Sequence, residues 1–289
     1  MRFEQFILAN EPALRLGFFV GIFAVIGLWE LLAPRRVLTV PKASRWASNL
    51  ALVALNTLLL RIVFPVAAVG VAVFCTEQGW GLLNHFKVPF VIAAPVAVVA
   101  LDFVIWLQHV MFHAVPVLWR LHRVHHADLD YDVTTGARFH PIEILLSMLI
   151  KFGAIVVLGP PVVAVVIFEV LLNGTAMFNH GNIRLPLALD RVLRWIVVTP
   201  DMHRVHHSVN DDEANSNFGF NLPWWDQLCG TYRDQPRAGH TAMNIGIHGH
   251  NDPREVARLP GMLLLPFRGE IKDYAINRRD FSGSADDQK

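Results

Sequence analysis

The sequence predicts an all-α membrane protein, a polytopic bundle of transmembrane helices with a cytoplasmic helical cap that carries clustered histidines. Three observations support this fold class. Of the 289 residues, 53% are hydrophobic and 17% are charged, whereas a soluble domain is about one quarter charged. Apolar segments long enough to cross a bilayer, roughly 20 residues, recur between positions 13 and 177. Most of the 14 histidines fall in three short motifs that start at the end of the third segment.

Three apolar segments predict full membrane spans, and two shorter ones follow. The full spans are Ala13–Ala33, Ala47–Cys75 and Val88–Gln108. Pro65 lies inside the second span and predicts a kink or a long, tilted helix. The shorter segments, Ile142–Leu158 and Pro161–Met177, are joined by a Gly-Pro-Pro turn. They predict either two thin spans or a hairpin at 142–177, so the bundle has about four spans, or three spans plus a hairpin.

Basic residues beside the spans predict the orientation in the membrane. The linker after the first span is the basic one, with Arg35, Arg36, Lys42 and Arg45. The next linker holds only Lys87 as a basic residue. We therefore expect the first linker in the cytoplasm, and the third span then returns to that face. The hairpin leaves and re-enters on the same side, which places all the clustered histidines at the cytoplasmic face of an integral, multi-pass membrane protein.

Three regions are expected along the chain. Residues 1–100 form an N-terminal transmembrane region, residues 101–235 form the histidine-bearing catalytic region with the 142–177 hairpin, and residues 236–289 form a C-terminal cytoplasmic segment. The polar residues after Asp280 predict a disordered tail. No cleaved signal peptide is expected, because the start lacks a basic stretch and a cleavage site. Two cysteines exclude a disulfide framework, and a net charge of +1 gives no reason to expect a nucleic-acid partner.

The clustered histidines have the spacing of metal ligands on helices. Residues three or four positions apart share one helix face, so each motif presents two or three imidazoles to one side. Imidazole binds iron, zinc, copper and nickel, and many buried imidazoles are costly unless they are coordinated or hydrogen-bonded. The expected ligands are His109, His113, His122, His125, His126, His203, His206 and His207, with His180 as a ninth. Nine ligands exceed the needs of one ion, so the pattern predicts two metal ions.

Several polar residues near these motifs are candidates for orienting the ligands. Carboxylates commonly hold metal-bound histidines in place, and Asp102 and Asp201 lie near the first and last motif. His140 precedes a predicted helix start and is either a further ligand or a structural residue. Other acids near the motifs have the same alternatives of ligand orientation, helix capping or solvation: Asp128, Asp130, Glu143 and Asp211.

Two further features depend on the membrane. Glu169 lies within the hairpin, and a carboxylate is costly in lipid unless it has a partner, so we expect it to face the site. Aromatic residues follow the last histidine motif, namely Trp224, Trp225 and Tyr232. They either anchor the cap at the headgroup level or pack within it.

The motifs HVMFH, LHRVHH and HRVHH resemble the three histidine boxes of the fatty acid hydroxylase/sterol desaturase superfamily. The flanking stretches LWRLHRVHHADLDYDVTTGARFHPIE, FNHGNIRLP, TPDMHRVHHS and NFGF…WWDQLCGTY fit as well, so the resemblance runs from Asp102 to Tyr232. Members of that superfamily are membrane proteins whose histidine-bound di-metal centre, taken to be di-iron, activates O₂ against lipid C–H bonds. The resemblance implies two iron ions, O₂ as co-substrate and the nine histidines as ligands, with zinc able to replace iron by mismetallation.

Three functions stay open from the sequence. The first is hydroxylation of a fatty-acyl, alkyl, sterol-like or aminolipid substrate, and the second is desaturation at the same site. The third is a non-redox, zinc-binding membrane scaffold. A transporter is disfavoured, because its ligands belong near the bilayer midplane rather than at one end of the spans.

The two redox functions need a lipid from the bilayer and a source of electrons. Some relatives carry an N-terminal cytochrome b5 domain, and none is visible in this sequence. We therefore expect a separate electron donor, a ferredoxin or a cytochrome b5-like protein with its reductase. No long soluble interaction surface is evident, so a monomer or weak dimer is expected.

Overall fold

The computed structural model describes residues 2–269, and their regular secondary structure is helical, with two isolated β-bridges and no strands. The predicted all-α fold is thus confirmed for this part of the chain. The tail expected to be disordered after Asp280 lies outside the described residues. In chain order the helices are α1 Arg2–Ala9, α2 Glu11–Leu32, α3 Lys42–Val63, α4 Ala68–Gln78, α5 Leu82–His85, α6 Phe90–Ala114, α7 Pro116–His126, α8 Pro141–Leu158, α9 Val162–Asn179, α10 Leu187–Leu193, α11 Pro200–His206, α12 Asp211–Ala214, α13 Trp224–Cys229, α14 Gly239–Ala242, α15 Pro253–Val256 and α16 Leu259–Leu264. Short 3-10 turns cover Thr135–Ala137 and Leu265–Phe267.

Five helical segments among the described residues are long and apolar enough to cross a membrane. They are α2, the segment Lys42–His85, α6, α8 and α9. Of the two alternatives predicted at Pro65, a kink or a long tilted helix, the structure shows a break, because α3 ends at Val63 and α4 begins at Ala68. Helices α8 and α9 have 18 residues each. That gives each a length of about 27 Å, close to the roughly 30 Å of a bilayer core. The hairpin helices are therefore long enough for two spans.

Helix α9 is the central span. It packs against α2, α4 and α6. Of its most apolar stretch of 18 residues, 56% is buried, whereas at most 33% is buried in the corresponding stretch of the other candidate spans. The buried core around it includes Phe168, Leu101 and Ile155. The outer faces of the other spans expose large apolar side chains such as Leu31 and Val91. An apolar exterior of this kind fits contact with lipid rather than water.

The histidine-bearing ends of the helices meet at one end of the bundle. Helix α6 carries His109 and His113 near its C-terminal end, and α9 ends immediately before His180. Helix α8 carries Glu143 in its first turn. The short helices α10–α16 follow this end in the chain, and α11 packs against α9 there. This geometry matches the expected gathering of all nine histidines at one end.

The N-terminal helices hold the loop that leads from α7 to α8. The Glu30 carboxylate at the end of α2 accepts hydrogen bonds from the backbone amides of Val133 and Asn182, at 2.6 and 2.9 Å. On α3, the buried Arg45 guanidinium donates to Asp128 at 2.7 and 2.8 Å and to Asp132 at 2.6 Å. The loop begins directly after His126, so these contacts fix the chain on which the second histidine motif ends.

Candidate metal centre

The structure brings the nine histidines into two adjacent groups, each with its ring nitrogens within 4.8 Å of one another. We call them the five-histidine group and the four-histidine group. The first contains His109, His113, His122, His126 and His206. The second contains His125, His180, His203 and His207. The groups adjoin, since the rings of His126 and His207 stack with centroids 4.6 Å apart.

Helix periodicity decides which histidine joins which group. Histidines four positions apart lie on one helix face, and each such pair falls in a single group. The pairs are His109 with His113, His122 with His126, and His203 with His207. Histidines adjacent in the chain point in directions about 100° apart on a helix. His125 and His126 therefore fall in different groups, as do His206 and His207.

Backbone carbonyls fix the tautomer of three histidines. A carbonyl oxygen only accepts, so each Nδ1 that contacts one carries a hydrogen, and in a neutral ring the Nε2 is then bare. This holds for His109 against Phe218 O at 2.7 Å, for His206 against Ser216 O at 2.7 Å, and for His180 against Ala176 O at 2.8 Å. The bare Nε2 atoms of these rings turn toward the centre of their groups.

Pairs of ring nitrogens face each other at distances that a shared cation explains. The Nε2 atoms of His109 and His206 are 3.0 Å apart, and both are bare by the argument above. The pairs His109–His122, His113–His126 and His125–His180 have Nε2 atoms 2.9, 3.1 and 3.2 Å apart. Two nitrogens bound to one ion at about 2.0–2.1 Å lie roughly 2.9–3.4 Å apart for right-angle to tetrahedral geometry. The spacing fits metal coordination in both groups.

Burial keeps these imidazoles neutral and leaves some ring nitrogens unpaired. Desolvation lowers the pKa of His180 to about 3 and holds the pKa values of His203 and His207 well below the usual 6.5. Within the described residues, both ring nitrogens of His207 are buried without a hydrogen-bond partner. Each unsatisfied buried polar group costs about 1–3 kcal/mol. Neutral nitrogen donors with no other partner are the form that binds a transition metal.

Among residues 2–269, Glu143 is the carboxylate that contacts one of the nine histidines. Its Oε1 lies 2.6 Å from Nδ1 of His122, and both residues are buried. A carboxylate at Nδ1 orients the ring and turns Nε2 toward the metal position. Glu143 lies in the first turn of α8, which begins at Pro141 after His140 has capped the helix. The sequence placed it only among several nearby acids.

We expect replacement of Glu143 by leucine to reduce bound metal and activity by about 10- to 100-fold, the usual cost of losing such an orienting group. Glu143→Gln keeps an oxygen acceptor for His122 and should lose less. Metal analysis of the purified variants measures the effect. Glu255→Gln is the matched control, because this partly exposed acid contacts none of the nine histidines. Full metal content in Glu143→Leu would contradict the assignment.

The two carboxylates expected to orient the histidines, Asp102 and Asp201, have other partners. Asp102 Oδ2 accepts from the Trp225 indole at 2.8 Å and from the Leu222 amide at 3.3 Å. Asp201 is paired with Arg35 at 3.0 Å and with Arg204. Neither carboxylate contacts one of the nine histidines, because cap and linker residues occupy it. Among the described residues, the structure thus places both carboxylates on partners other than the nine histidines.

His140 lies outside both groups. Its Nδ1 accepts from the amide of Ile142 at 3.2 Å, and its Nε2 faces the carbonyl of Leu263 at 3.3 Å. His140 therefore has the structural role among the two alternatives: it caps the N-terminus of α8 and contacts α16. The expected role as an additional ligand has no geometric support.

Asp226 is a positioning residue that the sequence reasoning missed. Its carboxylate accepts from the Trp106 indole at 3.1 Å and from the amides of Phe218 and Gly219 at 2.9 and 2.8 Å. The carbonyl of Phe218 in turn accepts from His109. Asp226 thus fixes the loop that fixes the tautomer of a predicted ligand. It lies in the stretch WWDQLCGTY, whose resemblance to the superfamily was the available signal.

An apolar cavity of about 290 Å³ opens onto the five-histidine group. It lies between α2, α3, α6, α8 and α9, and its wall includes His109 and His122. Phe112, Phe139 and Phe220 also line the cavity beside these histidines. As expected, Glu169 faces this interior rather than lipid, with 3% of the residue exposed. The centre is therefore reachable from between the spans.

The three aromatic residues that follow the last histidine motif differ in their contacts and in their exposure. Trp225 contacts the Phe103 ring on α6, with centroids 5.0 Å apart. Trp224 is 40% exposed, and its indole donates to the Trp195 carbonyl at 2.7 Å. The Tyr232 hydroxyl lies 3.2 Å from Arg194 Nη1. Trp225 thus packs within the protein, and the headgroup anchor stays a prediction for Trp224.

Comparison with known proteins points in one direction. Residues 93–231 match the family model described as fatty acid hydroxylase. The chain is 31% identical over 192 residues to an ornithine lipid hydroxylase of Rhizobium tropici, covering 64% of this chain and 54% of that protein. It is 30% identical over 136 residues to the alkylglycerol monooxygenase of Xenopus tropicalis, and 29% identical over 141 residues to that of Homo sapiens. These matches cover 45% and 47% of this chain, and 28% and 29% of those proteins. The chain thus spans about half or less of the relatives it matches. No solved structure matches it significantly.

Proposed function

The chain belongs to the fatty acid hydroxylase superfamily, and we propose on that basis that it is a membrane-bound, O₂-dependent lipid hydroxylase with two iron ions. The substrate class is a membrane lipid with an alkyl or acyl chain. The relatives named as an ornithine lipid hydroxylase and as alkylglycerol monooxygenases support lipid oxidation.

The observation that carries this proposal is the apolar cavity between the spans that ends on His109 and His122. An apolar wall favours a hydrocarbon chain, because burial of a methylene group is worth about 0.8 kcal/mol. The cavity lies within the span region, so a lipid reaches it without crossing water. Its end at the five-histidine group brings a C–H bond next to the place where a metal would be bound.

The residues divide the work of hydroxylation. The five- and four-histidine groups would each hold one iron ion, and the pair would supply the reductive activation of O₂ that cleavage of an alkyl C–H bond needs. The overall reaction takes the lipid, O₂, two electrons and two protons to the alcohol and water. Phe112, Phe139 and Phe220 exclude water from the reacting carbon, and Glu143 orients His122.

Two other functions make different demands on the site. Desaturation uses the same centre and removes a second hydrogen instead of inserting oxygen, so only the product distinguishes it. A structural zinc site has four ligands and is closed. The five-histidine group has five nitrogens within 4.8 Å of one another and borders a cavity, which disfavours the zinc scaffold.

The proposed site faces the cytoplasm and takes its electrons from a separate donor. The basic linker Arg35–Arg45 lies at the histidine end of the bundle, as Arg35 contacts Asp201 and Arg45 contacts Asp128. Basic residues near span ends favour the cytoplasmic side. A ferredoxin or a cytochrome b5-like protein with its reductase would then reach the cap from the cytoplasm.

We expect cells that produce the chain to contain a lipid heavier by one oxygen atom, which is absent when the chain carries His125→Ala. Mass spectrometry of total lipid extracts measures this difference. A lipid lighter by two hydrogens would identify a desaturase instead. Two tightly bound zinc ions per chain, no O₂ consumption with an electron donor and an unchanged lipid profile would overturn the oxidation proposal.

A further inference from the structure

A cluster of charged side chains lies inside the membrane region on the wall of the cavity. Lys151 on α8 donates to Glu169 on α9 at 2.9 Å, and Arg15 on α2 contacts the same carboxylate at 2.9 Å. All three residues line the cavity. Ionisable groups within spans are costly, and where they occur they commonly mark substrate or ion pathways.

The cluster has unused hydrogen-bond donors. The Lys151 ammonium has three N–H groups, and one of them is used by Glu169. Arg15 meets both Glu169 and Glu11 through the same nitrogen, Nη1. Glu11 does not line the cavity, so this cluster contributes two cations and one carboxylate to the wall, while the second carboxylate on the wall, Glu143, contacts His122. Lys151 and Arg15 therefore have further N–H groups that can donate to a negatively charged acceptor in the cavity.

The position of the cluster sets a distance to the proposed reaction site. Lys151 follows Glu143 by eight residues, which is about 12 Å along α8. Gln108 and Ser147 line the cavity between the positions of Glu143 and Lys151, and they are joined by a hydrogen bond of 2.7 Å. An extended alkyl chain covers roughly 1.1–1.2 Å per bond, so about ten bonds span the distance from Lys151 to the position of Glu143 beside the histidines.

We propose that Lys151 and Arg15 bind an anionic group of the lipid substrate, a carboxylate or a phosphate, at about ten bonds from the carbon that is oxidised. This inference rests on the proposed function. Glu169 holds the two cations at the cavity wall. The cluster then selects which lipid enters and which carbon reaches the histidine centre, and it takes no part in the oxidation itself.

Binding of three probes with the same chain length tests this inference: hexadecanoate, hexadecyl phosphate and hexadecan-1-ol. Full-length protein in a non-ionic detergent is titrated with each probe, and the thermal unfolding midpoint reports the affinity. We expect at least one anion to bind about tenfold more tightly than the alcohol, the gain from a charge-assisted hydrogen bond. The two anions distinguish a carboxylate substrate from a phosphate substrate.

Three variants of the ion cluster and one control separate recognition from a structural role of the cluster. Lys151→Met should bring the affinities of anion and alcohol to within about twofold of each other, whereas Lys151→Arg should keep the preference. Lys87→Met is the matched control, because Lys87 is an exposed residue outside the cavity. Arg15→Met should reduce the preference as well, and it replaces Lys151→Met as the test if that variant does not fold.

Two results would overturn the inference. The first is equal affinity of the wild-type protein for all three probes, which needs no variant. The second is a preference for anions that survives Lys151→Met, or a loss of affinity that is the same for anion and alcohol, as expected for a purely structural ion cluster. Because binding is measured without oxidation, a preference for anions in a chain that oxidises no lipid would contradict the proposed function alone. Oxidation without that preference would contradict this inference alone.

Discussion

His206→Ala and His207→Ala are each expected to reduce lipid oxidation to below about 1% of wild type, because loss of a ligand exceeds the 10- to 100-fold cost of losing an orienting group. The two residues are adjacent in the chain but belong to different groups, His206 to the five-histidine group and His207 to the four-histidine group. Each variant should therefore lose about one of two metal ions, and the double variant should lose both. Metal content per chain and oxidised lipid are the two measurements.

The design contains its own controls. His248→Ala removes an exposed histidine outside both groups and should keep activity and both metals. Elution of each variant as a monodisperse species in detergent shows that the helices still assemble. If His206→Ala and His207→Ala both retained two ions per chain, the assignment of these residues to a metal pair would be incorrect. If His206→Ala alone lost both ions, the two groups would act as a single site.

The helical architecture could be predicted from composition and spacing alone. Bilayer thickness sets the length of an apolar span, so the spans were visible as segments of fixed length. The predicted second span, Ala47–Cys75, runs from within α3 into α4, and Pro65 marks the break between them. The end of α8 at Leu158 coincides with the predicted end, and the other ends of α8 and α9 differ from the prediction by one or two residues. Local rules suffice here because an apolar span of about 20 residues satisfies its own backbone hydrogen bonds in lipid by forming a helix.

The identity of the clustered histidines could also be predicted, and their division into two groups followed from a rule already in use. Spacing of four residues puts His122 with His126 and His203 with His207, whereas a neighbour in the chain points elsewhere. The sequence reasoning treated each HRVHH motif as one face with two or three imidazoles. Applying the helical angle to each residue would have separated His125 and His206 from the rest of their motifs.

The residues that orient the ligands could not be predicted, because their contacts join distant parts of the chain. Asp102 lies on the same helix as His109, which suggested a contact, but its carboxylate is used by Trp225 from the cap. Glu143 contacts His122 only because α8 begins beside α7 after the intervening loop has turned back. Sequence proximity is a poor guide to such contacts, since a loop of a dozen residues can place either neighbour at the site.

That loop depends on helices outside the part of the chain that matches the family model. The match begins at residue 93, yet Glu30 and Arg45 supply the contacts that hold the loop after the second histidine motif. Substitutions in the N-terminal helices are therefore expected to disturb the histidine centre through this loop. A residue far from the metals in sequence then becomes one of the most sensitive positions for stability.

Replacement of Arg45 by methionine is expected to destabilise the protein by about 3–5 kcal/mol, the usual cost of removing one partner of a buried ion pair. Arg45 is fully buried, and its loss leaves Asp132 without its paired cation and Asp128 with Arg138 alone, at 3.4 Å. The thermal unfolding midpoint in detergent should fall by roughly 10 °C. Metal content should fall too, since Asp128 follows the proposed ligand His126 by two residues. Arg61→Met is the matched control, because Arg61 is exposed on the same helix. Equal unfolding midpoints for the two variants would show that the ion cluster is not what holds the loop.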